Sequence, residues 1–352
     1  MQWSMYLSTS CKRRTRLHLH SKNGTLSRIT SSSSRTSWSR TRAARCSGVM
    51  IGWLRRTVSL VGILCRNVIG VVKPWKLIYV FGDVTNRFDH SDLILSNLLE
   101  GLALANVLPK RIFVQYGQKW YGVHLGATSI PDEESDPRLA LEPNLYYTQH
   151  DLLTAFCSKH NISWNAALPS FVIGAALDSS QSLLFPLLAY ASVQKHRNKV
   201  LEYPSDLNAW HAPQSLSNAV LNSHMYEWSV LAPNTANQMF NALDDCAFTW
   251  GKMWPRLADY FAMQYSGPDT SIDVQWHEKG MKAEPPPHSM GRKSTMRYRF
   301  SFVEWAQDPE NQAAWRELAS KHGLTNSEWK DIGSIFGRAD FCLHRPYASI
   351  MR

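Results

Sequence analysis

The chain has 352 residues, 44% of them hydrophobic, enough for one large α/β domain or two smaller ones with a sizeable core. Its net charge of +10 is unevenly placed: residues 1–76 hold 15 Lys and Arg and no acid, while the rest carries 23 basic against 28 acidic side chains. The basic character belongs to one end, and its arginines are not interleaved with aromatics in a folded pattern, which argues against a nucleic-acid partner.

Residues 1–50 are rich in Ser, Arg and Thr around "SSSSRTSWSRTRAAR" and keep no helical or strand period, so little stable structure is expected. The composition also fits an organellar transit peptide or a basic arm. "LHLH" at 17–20 is the one local histidine cluster, and it lacks nearby acidic or cysteine ligands, so no metal site is expected. The six cysteines, at 11, 46, 65, 157, 246 and 342, form no CxxC pair, consistent with reduced thiols in an intracellular, cytoplasmic setting. "TVSLVGILCRNVIGVV", from Thr57 to Val72, is broken by Arg66 and Asn67 and is shorter than the roughly 20 apolar residues of a membrane span, so no membrane role is expected.

From residue 76 the pattern changes. "KLIYVFG" reads as a buried strand ended by Gly82. "HSDLILSNLLEGLALANVL" reads as a helix capped by Ser91 or Asp92, with Ile94, Leu98, Leu102 and Ala105 on one face and Pro109 as its stop. "RIFVQYG" is a second strand, and strand, helix, strand with short links predicts a parallel βαβ unit. "EPNLYYTQHDLL" opens the next helix, with Leu152, Leu153 and Phe156 inward, and "ISWNAALPSFVIG" is a strand broken at Pro169. Residues 180–262 mix helices and loops and are rich in tryptophan; "AEPPPHSMGRK" is a loop. "SFVEWAQDPENQAAWRELASKHGL" predicts one or two amphipathic helices ending at Gly323. The expected architecture is an α/β, Rossmann-like parallel sheet. Residues 1–75 are a low-complexity segment in place of its first half, 76–180 the core, and 181–352 a smaller, mostly helical substrate region.

A hydride-transfer protein of this class needs a glycine-rich turn after its first strand, where a pyrophosphate approaches a helix N-terminus. Neither G-x-G-x-x-G nor G-x-x-G-x-x-G is present. It also needs an acid beside a cation. A tyrosine, with an ordinary pKa of about 10, becomes a better acid when an ammonium lies close to it. Two tyrosines, Tyr146 and Tyr147, stand at the start of a helix, but the positions four residues on are His150 and Asp151 rather than lysine. Lys119 lies in the loop after "RIFVQ", and both that loop and the helix start belong to the ligand-facing edge of a parallel sheet. From the residues alone, Tyr146 and Lys119 form a catalytic pair or, the blander reading, a solvated lysine and two tyrosines covering a helix end.

"VQYGQKWYG", "EPNLYYTQHDLL", "FNALDDCAFTWGKMWPRLADYF" and "VEWAQDPENQAAWRELASKHGL" resemble the progesterone 5β-reductase and iridoid synthase-like group. These are atypical short-chain dehydrogenases of the NAD(P)-dependent epimerase/dehydratase type, with fungal relatives in secondary metabolism. There Q-T-G-x-K-x-Y supplies the lysine and N-F-Y-Y-x-x-x-D the tyrosine, which map to Lys119 and Tyr146. The resemblance implies an oxidoreductase using NADP(H), or NAD(H), on a small enone or ketone. It casts Tyr146 as proton donor or oxyanion stabiliser, and has Lys119 lower its pKa and hold the cofactor ribose. Gly117 and Pro169 are the implied cofactor contacts, Tyr147 and Trp210 the implied substrate-pocket residues, and a homodimer is left open.

The departures are specific. The family's R-P-G-x-I-x-G reads with Leu168 for the arginine and Ser170 for the first glycine, keeping Pro169 and Gly174; F-P-G reads Tyr203-Pro204-Ser205; the threonine of the lysine motif is Tyr116. The 76 residues ahead of "KLIYVFG" match the family in length but not in chemistry, which raises a shifted reading frame or mispredicted exon as an expectation. "FGRADFCLHRPYASIMR" reads as stopping before the family's last strand and helix. The alternative expectation is a truncated, non-catalytic homologue.

Overall fold

The computed structural model describes residues 78–81, 88–175, 182–244, 246–289 and 292–352, with side chains from Leu95 onward. The basic segment, "LHLH", the Thr57–Val72 run, the place of the missing glycine fingerprint and the first three cysteines lie outside the described residues.

In chain order, β1 (Ile78–Phe81), α1 (Phe88–Leu104), β2 (Arg111–Gln115), α2 (Leu145–His160) and β3 (Ser163–Pro169) form the start of the fold. Then come β4 (Phe171–Ile173), α3 (Leu184–His196), β5 (Leu201–Glu202), α4 (Leu207–His211), β6 (Gln214–Asn218), α5 (Ala219–Leu231) and β7 (Gln238–Ala242). The remainder comprises β8 (Ala247–Phe248), α6 (Trp250–Tyr260), β9 (Tyr265–Ser266), β10 (His277–Gly280), β11 (Thr295–Tyr298), α7 (Phe302–Gln307), α8 (Pro309–His322) and α9 (Ile332–His344).

The main sheet has the order β1-β2-β3-β7, every pair parallel, so the predicted βαβ unit is present. β2 shows why the sheet is parallel. Ile112, Phe113 and Val114 are all buried, which requires helices on both faces. Ile112 and Val114 pack with Leu95, Leu99 and Leu102 of α1 and with Leu153 and Cys157 of α2. Phe113 points the other way and meets Tyr226 of α5 at 4.6 Å between ring centroids.

The predicted face of α1 is displaced by about one residue. Leu95, Leu99 and Leu102 are its buried side chains, and Leu98 is only partly buried. Because the helix begins at Phe88, Ser91 and Asp92 lie inside it rather than at its cap. It ends at Leu104, before Pro109 is reached: Asn106 turns left-handed (φ 51°) and Val107 N–H returns to the Leu102 carbonyl at 3.0 Å. Ala105 falls beyond the helix and is exposed.

Beyond Pro169 the chain changes sheet. β3 pairs with β7 up to Pro169, whereas β4 pairs with β6, and β6 pairs antiparallel with β8. Ser170 fixes the corner: its N–H donates to Ser217 Oγ at 2.8 Å and its hydroxyl to the Ser215 carbonyl at 2.7 Å. A second core, built on Tyr190, Tyr203, Trp250, Trp254, Phe302, Trp315 and Phe336, joins α3, α6, α7, α8 and α9. Of the one or two helices expected to end at Gly323, there are two: Ser301 caps α7 in a capping box, Asp308 caps α8, and Gly323 closes α8 at φ 63°. Cys157, Cys246 and Cys342 are free thiols. No helix among the described residues is long and apolar enough to cross a membrane.

The C-terminal residues return to the sheets. Ser215 N–H donates to the Ser349 carbonyl at 3.0 Å, and Asp132 N–H to the Ile350 carbonyl at 2.7 Å. Asp132 is fully buried, and burial pushes its carboxyl up from 3.8 to about 7; the Thr128 hydroxyl and the Arg345 guanidinium only partly offset that. An acid whose folded pKa is raised adds stability that is complete below the unfolded value and is lost as pH rises through the folded one. Urea titrations should therefore show a contribution that declines between pH 3.8 and about 7, and Asp132→Asn should remove that part of the slope.

Candidate active site

The site stands at the C-terminal edge of β2 and β3. After β2 the chain makes a short 3-10 turn, Gln118–Tyr121, which carries Lys119 and closes at Gly122 (φ 80°). α2 begins beside it because Asn144, extended and outside the helix, caps it: its side-chain oxygen accepts from Tyr146 N–H at 3.0 Å. The same amide donates to the Lys119 carbonyl at 2.9 Å. One side chain thus sets the helix start that aims Tyr146 and pins the backbone that carries Lys119. Buried Tyr146, Gln149, Leu153 and Cys157 form the inner stripe of α2, and Asn161 (φ 54°) ends it.

Tyr146 is buried, and its hydroxyl end lies against Gly117. A Cβ at Gly117 would stand 3.1 Å from Tyr146 Oη and 3.8 Å from the Pro169 carbonyl oxygen. Gly117, Pro169 and Tyr146 therefore share one corner, and the hydroxyl makes no hydrogen bond among the described residues. Tyr116, in the family's threonine position, packs its ring on Tyr146 at 5.5 Å and on Trp120 at 5.7 Å.

The electrostatics differ from the expectation that Lys119 makes Tyr146 acidic. Burial pushes Tyr146 up to about 12, and the cation that pulls it back is Arg338 of α9, with no contribution from Lys119. Lys119 itself is brought down to about 8, by burial first, then by Arg338 and Lys282, against a small opposing pull from Glu142. Arg338 is the site residue that sequence reasoning missed. It sits in an amphipathic helix far along the chain, where nothing local marks a polar residue as facing a site.

The other named residues separate. Tyr147 is scaffold: its hydroxyl donates to the Trp120 carbonyl at 2.6 Å and accepts from Leu139 N–H at 3.0 Å, and its ring meets Trp120 edge-on at 4.8 Å. Trp210 packs in the helical core, 4.8 Å from the Tyr203 ring and against Gly251 and Gly267, in neither contact near Tyr146. Leu168, in place of the family's arginine, is fully buried in the sheet core. No cluster of three or more potential metal ligands occurs among the described residues.

Comparison with known proteins adds the following. A family profile described as a PRISE-like Rossmann-fold domain matches residues 87–275. (S)-8-oxocitronellyl enol synthase of Catharanthus roseus is 26% identical over 221 residues, 62% of this chain and 50% of that one. The short chain dehydrogenase gsfE of Penicillium aethiopicum is 23% identical over 271 residues, 76% of this chain and 67% of that one. The chain spans about half to two thirds of the length of such relatives. Among solved structures, UDP-glucuronic acid 4-epimerase from Bacillus cereus in complex with NAD is similar over 58% of this chain and 63% of that one, at 12% identity and a TM-score of 0.44.

Two substitutions check the roles of Asn144 and Tyr147. Asn144→Ala should cost about 1 kcal/mol of stability, the usual loss of a helix cap, read as a lowered urea midpoint. Tyr147→Phe strands the Trp120 carbonyl and the Leu139 N–H, and should cost about 1–2 kcal/mol by the same measurement.

Proposed function

The chain belongs to the PRISE-like Rossmann-fold family, and from that premise we propose that it is an NADP(H)-dependent reductase of an enone or ketone. The observation that carries this reading is the placement of the Tyr146 hydroxyl, free of hydrogen bonds among the described residues, at the corner formed by Gly117 and Pro169. In parallel α/β sheets ligands bind at this edge. Two similar proteins carry enzyme names, one an enol synthase and the other a short chain dehydrogenase.

The residues fit the nicotinamide-ribose end of a dinucleotide. Gly117 leaves room beside the Tyr146 hydroxyl that a Cβ would crowd, and Lys119 offers a cation on the adjacent turn. The pyrophosphate cradle is not among the described residues. A bound dinucleotide would supply the hydride. Tyr146, with its pKa near 12, is a protonated phenol at neutral pH, so it enters the reaction as a donor. It donates to the substrate carbonyl oxygen and holds the negative charge that grows there as the β-carbon is reduced. Lys119 binds the ribose hydroxyls, and Arg338 supplies the field that makes the phenol a better donor than burial alone would leave it. A small organic carbonyl compound is the partner we assign, and secondary metabolism, which the family resemblance implied, is the setting we assign to it.

Titrating the full chain with NADPH and following tryptophan fluorescence tests the reading. A saturable change is expected; none would favour a non-catalytic homologue. Lys119 is protonated below about 8, so kcat/KM for NADPH should fall as pH rises through that value, and Lys119→Ala should lose the step.

A further inference from the structure

The turn that carries Lys119 is too short to hold its own position. Gln118–Tyr121 is a single 3-10 turn with two backbone bonds, Trp120 N–H to the Gly117 carbonyl at 2.9 Å and Gly122 N–H to the Lys119 carbonyl at 3.1 Å. Its place is set from outside. Ahead of it, Tyr116 N–H donates to the Ala167 carbonyl at 2.9 Å, and toward α2 the Asn144 amide holds the Lys119 carbonyl. Between those two ties stand Gly117, whose missing side chain leaves the space beside the Tyr146 hydroxyl, and Gln118.

The Gln118 side chain is buried, 7% exposed, and it meets two hydroxyls on the side of the second sheet. Its Nε2 donates to Ser349 Oγ, and its Oε1 lies 3.3 Å from Ser170 Oγ, whose shorter bond runs to the Ser215 carbonyl at 2.7 Å. Both serines are themselves fixed. Ser170 is the corner residue between β3 and β4. Ser349 is fully buried and pairs alongside β6: its N–H donates to the Pro213 carbonyl at 2.9 Å, and its carbonyl accepts from Ser215 N–H at 3.0 Å. One side-chain amide thus ties the turn to the Pro169–Ser170 corner and to the second sheet. The tie uses a departure from the family pattern, since the glycine expected at position 170 has no hydroxyl to offer. It is also costly to lose, because an apolar side chain at 118 leaves the Ser349 hydroxyl without a partner among the described residues.

We propose that Gln118 is a positioning residue: clamped between the Ser170 and Ser349 hydroxyls, its amide fixes where Gly117 stands against the Tyr146 hydroxyl, and so the gap that a substrate carbonyl enters to take a proton from it. This rests on the reading of Tyr146 as the reactive group and adds what keeps its surroundings in register. Gln118 acts through Gly117 and the turn, not by contact with the reacting atoms.

The test uses the full chain with Tyr146 replaced by 3-fluorotyrosine, whose fluorine resonance reports on the surroundings of that hydroxyl. Amide exchange of the peptide spanning 117–122 is followed in parallel by mass spectrometry. Gln118→Met keeps the bulk and removes the amide. It should speed exchange in that peptide by on the order of tenfold, the worth of one or two buried hydrogen bonds, and it should shift or broaden the fluorine line. Ser349→Ala should act in the same direction, more weakly. Adding Ser349→Ala to Gln118→Met should change neither readout further, because the bond between them is already gone. Asp308→Ala, which strips the cap from α8, controls for general destabilisation and should leave the fluorine line in place. Unchanged exchange with an unmoved fluorine line in Gln118→Met, additive effects in the double variant, or an equal fluorine shift in Asp308→Ala would each overturn the proposal. If Gln118→Met does not fold, Ser349→Ala decides. Neither readout uses NADPH, so a failure here is distinct from a failure of the NADPH titration, which tests the reductase reading on its own.

Discussion

The Asn144 side-chain amide joins the two halves of the site. By accepting from Tyr146 N–H and donating to the Lys119 carbonyl, it makes the start of α2 and the turn after β2 one unit. In dehydrogenases that place both residues on one helical turn, the helix itself sets their relation. Here they come from different segments, and a capping hydrogen bond takes over that task. The spacing that looked like a lost lysine in the sequence is the consequence: a lysine on a separate turn needs a separate tie.

Around that unit the strand edge provides the corner. β3 ends its pairing in the main sheet at Pro169, and Ser170 commits the chain to the second sheet through Ser215 and Ser217. Where the family pattern has glycine, the serine hydroxyl fixes the corner by bonding to Ser215. Gly117 keeps its role unchanged, since a side chain there would press on the Tyr146 hydroxyl. Tyr116 fills the position of a smaller residue and helps bury Tyr146, which accords with the upward pull on that phenol. The counterweight is Arg338, carried by a helix whose Phe341 packs on Phe171 just past that corner.

Much of this was legible in the sequence, for physical reasons. Strands buried on both faces read as continuous apolar runs, so β2 and β3 were plain, and the links between them demanded parallel pairing. The motifs carrying Lys119 and Tyr146 were local, but the usual four-residue spacing missed the pair, and the family resemblance assigned their roles. The face of α1 was misplaced by a residue because its apolar side chains are dense enough to fit two registers. Tyr147 and Trp210 were assigned to the pocket through the family resemblance. The hydrogen bonds and packing that engage them come from Trp120, Leu139, Tyr203 and Gly251, which no local pattern announces. Arg338 was illegible for the same reason: its charge acts on Tyr146 through space, from a helix nearly two hundred residues further along the chain.

The central claim is that the Tyr146 hydroxyl donates to the carbonyl being reduced. Comparing Tyr146→Phe with the wild type, by NADPH consumption and by NADPH affinity on the same preparations, addresses it most directly. Consumption should fall by at least about a hundredfold, the usual scale for a lost proton donor, while affinity for NADPH changes little. Turnover retained in Tyr146→Phe would contradict the claim.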